Sequence, residues 1–286
     1  MVFMLLLCFI KASDIVVEVF PDTSKILKIA YIANSAYYDH EFSNLEYSFI
    51  VKQGLSGKVY KFDKNVIIAF KGTSLSLYGW NWSKTSENDK INDTLMFTCC
   101  NTSKGIIPWQ SSENCFNGIE CNEECVLALL KEYGYVYQAE TIVREALKKY
   151  KGYNIILTGH SMGGAIASLM GAKYDILTYA FSSPGERHIA NRIGIPNGNK
   201  IYHFGICSDI IFRGKCNKKY SLCSIGGYNI ETRCHLGNVI CFNDGSSESI
   251  LKHRMRYFID VLSNNKIRDI EIINEVNCND CIEFDY

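Results

Sequence analysis

The sequence predicts a single α/β domain in which a mainly parallel central sheet is flanked by helices and stapled by disulfides. Three observations carry that prediction. The stretch Asn154-Ile155-Ile156-Leu157-Thr158-Gly159-His160-Ser161-Met162-Gly163-Gly164 is a β-rich run that passes through Gly-x-Ser-x-Gly into an Ala-rich helical segment. Further β-rich runs alternate with helix-period stripes on either side of it. A chain of 286 residues also buries one large core, as α/β folds of this length commonly do.

A strand that turns at once into a helix forces the corner residue into a strained conformation with its side chain pushed outward. Gly159 and Gly163 remove the side chains that would collide there, so Ser161 presents its hydroxyl above the sheet edge. The following helix points unpaired N–H groups and its positive dipole end at the same spot, which favours a developing oxyanion. Gly-x-Ser-x-Gly alone is a common pattern. The flanking strand and helix make it a nucleophile elbow, with the Met162 N–H as one oxyanion donor.

Lys+Arg and Asp+Glu balance at 30 each, so there is neither a basic field for nucleic acid nor an acidic tail. The abundant aromatics, 18 Tyr and 15 Phe, supply core and suit an enzyme that meets apolar substrates. Thirteen cysteines are too many for an ordinary cytosolic enzyme. Cys121/Cys125 and Cys278/Cys281 have spacings that suit zinc, but the sequons at Asn81, Asn92 and Asn101 favour an oxidising compartment, glycosylation and disulfides. No metal is therefore expected. Met1 to Ile10 is an apolar run of the length of a signal-peptide core, about half of what a membrane-spanning helix needs. Residues 1–12 are read as a signal peptide cleaved after Ala12, or as a short retained anchor, and residues 13–286 as the domain.

In chain order, Ser24 to Tyr38 places Ile26, Ile29, Ala30 and Ala33 near helical spacing, with Ser24 or Asp22 as cap. Gly57–Phe62 and Asn65–Phe70 are β-rich runs split by Asp63-Lys64, a hairpin. The second run ends in Gly72-Thr73, whose backbone N–H and hydroxyl at the sheet edge offer a second oxyanion donor or belong to a plain polar loop. Trp80 and Trp82 among Gly, Ser and Asn read as a lid or as edge packing. The cysteine-rich stretch Asn101–Glu124 reads as a stapled surface excursion. Tyr135 to Tyr150 carries the stripe Val136, Ala139, Ile142, Val143, Ala146 and Leu147 of a core-facing helix. Beyond the elbow, Ile176–Phe181 and Lys200–Ile206 are strands.

In open α/β sheets chemistry collects at the carboxyl ends of strands, and an acid there orients a histidine. Asp209, just past Lys200–Ile206, is the acid; Asp175 comes too early to leave room for a strand. The base follows the acid in this topology, which leaves His235 and His253. His235 sits in a cysteine-dense, tied-down segment. His253 opens a helical stretch, Ser249 to Leu262, after a loop, the position from which a histidine reaches back over the serine. His253 is preferred as the base.

Phe70-Lys71-Gly72-Thr73-Ser74, Lys90-Ile91-Asn92-Asp93 leading to Phe97-Thr98-Cys99-Cys100, Gly159-His160-Ser161-Met162-Gly163-Gly164 and Pro184-Gly185-Glu186 together resemble the class 3 lipases. The block His203-Phe204-Gly205 to Asp209, Phe212-Arg213-Gly214-Lys215-Cys216, Gly227-Tyr228 and Cys234-His235 is similar to the fungal vacuolar autophagy branch of that family. The resemblance implies an α/β-hydrolase fold. It matches Ser161, Asp209 and His253 to the triad, and Thr73 with the Met162 N–H to the oxyanion hole. It further implies cofactor-free hydrolysis of triacylglycerols and membrane phospholipids, lipid or membrane surface as partner, and breakdown of autophagic bodies in a vacuole-like or endosomal lumen. Two alternatives are a secreted esterase on soluble esters and a secreted binding protein that kept the scaffold but lost activity. Oligomeric state is not legible.

Overall fold

The computed structural model describes residues 22–38, 42–52, 54–73, 86–99, 115, 122–216 and 230–281. Eight strands form one sheet in sequential order: β1 (Leu45–Ile50), β2 (Ser56–Phe62), β3 (Asn65–Phe70), β4 (Asn154–His160), β5 (Leu177–Phe181), β6 (Ile201–Ile206), β7 (Asn238–Asn243) and β8 (Asp269–Ile273). β3 to β7 run parallel, and antiparallel strands close both ends. The mainly parallel sheet agrees with the prediction. β2 and β3 form the expected hairpin, with Phe62 opposite Asn65 and Asp63 at φ 33° in the turn. β1, β7 and β8 add to the strands the sequence reading predicts. β1 alternates half-buried and exposed residues and β8 is almost wholly exposed, so neither edge carries the continuous apolar run of a central strand.

Helices cover both faces. α1 (Thr23–Ser35) begins at Asp22, whose side chain accepts from the Ser24 N–H. α2 (Ser86–Phe97), α3 (Glu123–Tyr133), α4 (Tyr135–Lys149), α5 (Met162–Tyr174), α6 (Arg187–Arg192) and α7 (Met255–Ser263) follow. Strand alternation splits the core in two. Val66, Ile68 and Phe70 face Val136, Ala139 and Val143 of α4 and Ile166 and Leu169 of α5. Ile67 and Ala69 face Ile26, Ile29 and Ala30 of α1 and Phe258, Ile259 and Val261 of α7. The stripe Val136, Ala139, Ile142, Val143 and Ala146 is core, but Leu147, predicted to belong to it, is exposed at the end of α4.

The stretch Ser249–Leu262 is not one helix. A 3-10 turn over Ile250–His253 ends at an extended Arg254 (φ −70°, ψ 131°) before α7 starts. The break lets the turn peel away toward Ser161 while Phe258 and Val261 stay buried on the sheet.

Disulfides join Cys99 to Cys281, Cys115 to Cys125, Cys207 to Cys241 and Cys234 to Cys278, and Cys216 is also disulfide-bonded. Cys125, Cys278 and Cys281 thus each bond to a cysteine outside the Cys121/Cys125 and Cys278/Cys281 spacings, which are not used for zinc. Among the described residues no helix is long and apolar enough to cross a membrane. The apolar run 1–12, Trp80, Trp82, Asn81 and Asn101 lie outside the described residues.

Candidate active site

The elbow is built by backbone crowding. A Cβ on Gly159 would lie 2.3 Å from the Gly163 carbonyl oxygen, and one on Gly163 would lie 2.3 Å from the Phe70 carbonyl oxygen. Only glycines let α5 start this close to β3 and β4. Ser161 between them adopts φ 56° and ψ −132°, a costly conformation for a residue with a side chain. Its N–H donates to the Phe181 carbonyl at 3.0 Å, which holds the corner against β5.

Three buried side chains converge above this corner. Ser161 Oγ is 2.9 Å from His253 Nε2, and His253 Nδ1 is 3.0 Å from Asp209 Oδ2. An ionised Asp209 only accepts, so Nδ1 carries the hydrogen and Nε2 is left to accept from the Ser161 hydroxyl. Asp209 Oδ1 accepts from the N–H groups of Ile211 at 3.0 Å and Phe212 at 3.4 Å. Asp209 follows β6 and His253 follows β7; the Cys207–Cys241 disulfide clamps those two strand ends together. The Ser249 N–H donates to the Ser208 carbonyl at 3.0 Å, so the histidine turn is pinned to the aspartate loop.

The predicted oxyanion residues sit beside Ser161. Met162 is the first residue of α5, a position whose N–H has no acceptor four residues back within the helix. Thr73 is buried, with Oγ1 2.8 Å from Asp93 Oδ2 and 3.8 Å from the Met162 sulfur. Burial pushes the Asp93 carboxyl well above the usual carboxylate range, although the hydrogen bond with Thr73 pulls it down; Asp89 adds to the rise. Asp93 is a residue the sequence reading did not single out for the site. Its signal was hidden inside a sequon that looks like surface.

That sequon is corrected by the structure. Asn92 is fully buried. Its amide donates to the carbonyls of Asn88 (2.9 Å) and Tyr133 (3.3 Å) and accepts from the Tyr135 N–H at 2.7 Å. Every polar atom is used to join α2 to the α3–α4 junction, so no room or free amide remains for a glycan. Peptide mass spectrometry of protein from a secretory host is expected to find Asn92 unmodified. Asn92→Ala is expected to lower stability by roughly 2–3 kcal/mol, because it strands a buried N–H and two carbonyls.

The other histidines fall elsewhere. His40 lies outside the described residues, and His188 is 3.0 Å from the Arg192 guanidinium. His203 and His235 join Glu186 and Glu275 in a buried cluster behind β6: His203 Nε2 is 3.0 Å from Glu186 Oε1, and His235 Nδ1 is 3.2 Å from Glu275 Oε1. His235 Nε2 faces the Ser183 carbonyl at 3.0 Å. With both ring nitrogens spent on acceptors, His235 does not reach Ser161. His160 is buried next to His253.

Residues 67–213 match the family model described as Lipase (class 3), just over half of the chain. A Candida glabrata protein named "Putative lipase ATG15" is 35% identical over 91% of this chain and 57% of its own length. The Saccharomyces cerevisiae (strain S288c) protein of the same name is 34% identical over 82% of this chain and 48% of its own length. The chain thus spans about half the length of the curated relatives it matches. Of solved structures, the Lip2 lipase of Yarrowia lipolytica is 16% identical, covers 77% of this chain and 78% of its own, and superposes with a TM-score of 0.40. For the Rhizomucor miehei triacylglyceride lipase the values are 14%, 80%, 92% and 0.42. By its sequence match from Ile67 to Arg213, this chain belongs to the class 3 lipase family.

Proposed function

We propose that this protein is a serine hydrolase of lipid carboxylic esters, with Ser161 as nucleophile, His253 as base and Asp209 as its orienting acid. The hydrogen-bonded line Ser161–His253–Asp209 at the carboxyl edge of the parallel strands carries the proposal. Ser161 Oγ attacks the ester carbonyl while its proton passes to His253 Nε2. Asp209 stabilises the imidazolium that forms. The tetrahedral oxyanion is held by the N–H of Met162 and by Thr73. The intermediate collapses with loss of the alcohol or lysolipid, which takes the proton from His253. Water, deprotonated by the same histidine, then attacks the acyl-enzyme; the Ser161 ester bond breaks, His253 returns the proton to Oγ, and the fatty acid leaves. None of these steps needs a cofactor.

The Thr73 hydroxyl has a single hydrogen, so its usefulness depends on Asp93. A neutral Asp93 donates to Thr73 Oγ1 and leaves the threonine hydrogen for the oxyanion, and the raised carboxyl range favours that form. Thr73→Val is expected to lower kcat by about ten- to a thousandfold on emulsion and soluble ester alike, with KM little changed. A folded Thr73→Val with full turnover would remove Thr73 from the oxyanion hole.

Triacylglycerol and membrane phospholipid are the proposed substrates, and a lytic compartment of the secretory route the proposed place, where autophagic bodies are broken down. The family membership and the relatives named lipase support the substrate class, and the disulfides support an oxidising compartment. A substrate panel tests the reading: triacylglycerol emulsion, phosphatidylserine and phosphatidylcholine vesicles, and a soluble short-chain ester. Turnover confined to the soluble ester would favour an esterase. No turnover and no labelling by a fluorophosphonate would favour an inactive scaffold.

A further inference from the structure

His160 is a buried ionisable side chain at the heart of the elbow for which ester chemistry has no use. We infer that His160 and Tyr37 are positioning residues that lock the His253 turn to the Gly72–Thr73 oxyanion turn; this rests on the roles proposed for Ser161 and His253.

The polarity of the hydrogen bonds carries the argument. His160 Nε2 lies 2.7 Å from the main-chain carbonyl of His253. A carbonyl only accepts, so Nε2 bears the hydrogen. Burial, and then the neighbouring His253, push the His160 pKa down to about 3, so the ring stays neutral and Nδ1 keeps its lone pair. Tyr37 Oη, 2.8 Å from Nδ1, must then donate to it, and Oη is free to accept from the Gly72 N–H at 3.1 Å. The result is one unidirectional chain: Gly72 N–H to Tyr37, Tyr37 to His160, His160 to the His253 carbonyl.

Its two ends flank the reacting centre. Gly72 precedes Thr73, and the His253 carbonyl ends the 3-10 turn just where the backbone turns extended and offers no helical donor. The fit is close. A Cβ on Gly72 would lie 2.3 Å from the His160 carbonyl oxygen, 2.5 Å from Tyr37 Oη and 3.1 Å from the Ser161 Cβ. Neutrality matters because the rings of His160 and His253 are 5.0 Å apart between centroids. A charged His160 would oppose the imidazolium that forms on His253 during attack. The groups facing the relay are His253 and Asp209 on the His160 side, and Asp89 and Asp93 on the Tyr37 side, where burial first and then the charge of Asp89 hold the phenol above its usual range.

The test uses Tyr37→Phe, His160→Leu, His160→Gln and the double variant Tyr37→Phe/His160→Gln. The readouts are fluorophosphonate labelling rate, and kcat and KM on a soluble ester. Tyr37→Phe and His160→Leu are expected to lower kcat and labelling by about ten- to a hundredfold with KM within about threefold. His160→Gln, whose amide both donates and accepts, is expected to recover most of the loss. The double variant should lose little more than Tyr37→Phe alone, because both changes break one line. Full kcat in a folded His160→Leu or in Tyr37→Phe, or losses that simply multiply in the double variant, would overturn the inference alone. A wild-type protein that does not label would overturn the Ser161/His253 reading and this inference with it. Tyr37→Phe removes one oxygen, so it decides the matter even where His160→Leu fails to fold.

Discussion

Replacing His253 by Ala is expected to leave a folded protein that neither reacts with a fluorophosphonate nor turns over ester, a loss on the order of a thousandfold or more. Among the described residues no other base lies within reach of the Ser161 hydroxyl: His160 turns its Nε2–H to the His253 carbonyl, and His235 is bound to Glu275 and Ser183. Ser161→Ala should be equally silent to the probe, whose phosphorus that oxygen attacks with loss of fluoride. Asp209→Asn should retain the fold, because Oδ1 still accepts from Ile211 and Phe212, yet present the wrong hydrogen-bond partner to Nδ1. Its activity is expected to fall steeply too. Active-site labelling with parallel circular dichroism checks all three. An active His253→Ala beside a folded but dead His235→Ala would reverse the assignment.

His235→Ala should show the opposite signature, a large loss of stability with reactivity preserved at low temperature. Both His235 ring nitrogens face acceptors, the Ser183 carbonyl at Nε2 and Glu275 at Nδ1, an arrangement that an imidazolium satisfies. Burial opposes its charge, but the hydrogen bond with Glu275 and the charges of Glu186 and Glu275 outweigh it and hold the His235 pKa above the usual histidine range. Burial likewise opposes the charge on Glu186, which His203, His235 and Ser168 nevertheless hold below the usual carboxylate range. Removing the ring takes away the hydrogen-bond partner of the buried Glu275 and one of the positive charges beside Glu186, at a cost of about 3–5 kcal/mol. For a chain of this size that corresponds to a Tm drop of roughly 10 °C.

The pH dependence follows from the signs. A histidine with a raised folded pKa contributes fully below its unfolded value of about 6.5 and loses that contribution as pH rises through the folded pKa. The depressed Glu186 contributes above its unfolded value and is lost only as pH falls through its lower folded pKa. The His235 contribution is therefore complete in mildly acidic solution, which suits a lytic compartment. His160 and Asp93 titrate differently between folded and unfolded chains as well, so the comparison of variants is cleaner than the wild-type curve. The Tm difference between wild type and His235→Ala should be largest near pH 5–6 and shrink as the solution becomes alkaline. A difference that is flat across that range would mean that folding leaves the His235 pKa unshifted, and one that grows with pH would mean that the ring is buried neutral.

Sequence alone determined the features that local periodicity and chain order encode. The β-rich run into Gly-x-Ser-x-Gly, the Val136–Ala146 stripe and the Asp63-Lys64 hairpin depend on residues a few positions apart, so they are legible without a fold. Chain order, Ser then Asp then His, narrowed the site to Asp209 with His253 or His235. Tertiary structure decided what depends on partners far away in sequence. It buried Asn92 against Tyr133 and Tyr135, although its tripeptide reads as a glycan acceptor. Cys99 was paired with Cys281 across 182 residues, a match that loop closure and strand geometry set and spacing cannot. Thr73 was turned onto Asp93, and the reading of Ser249–Leu262 as one helix gave way to a turn that places His253 over Ser161. Each of these outcomes satisfies a buried polar group or brings two distant sulfurs together. Only the packed chain determines which groups lose water and which neighbours replace it.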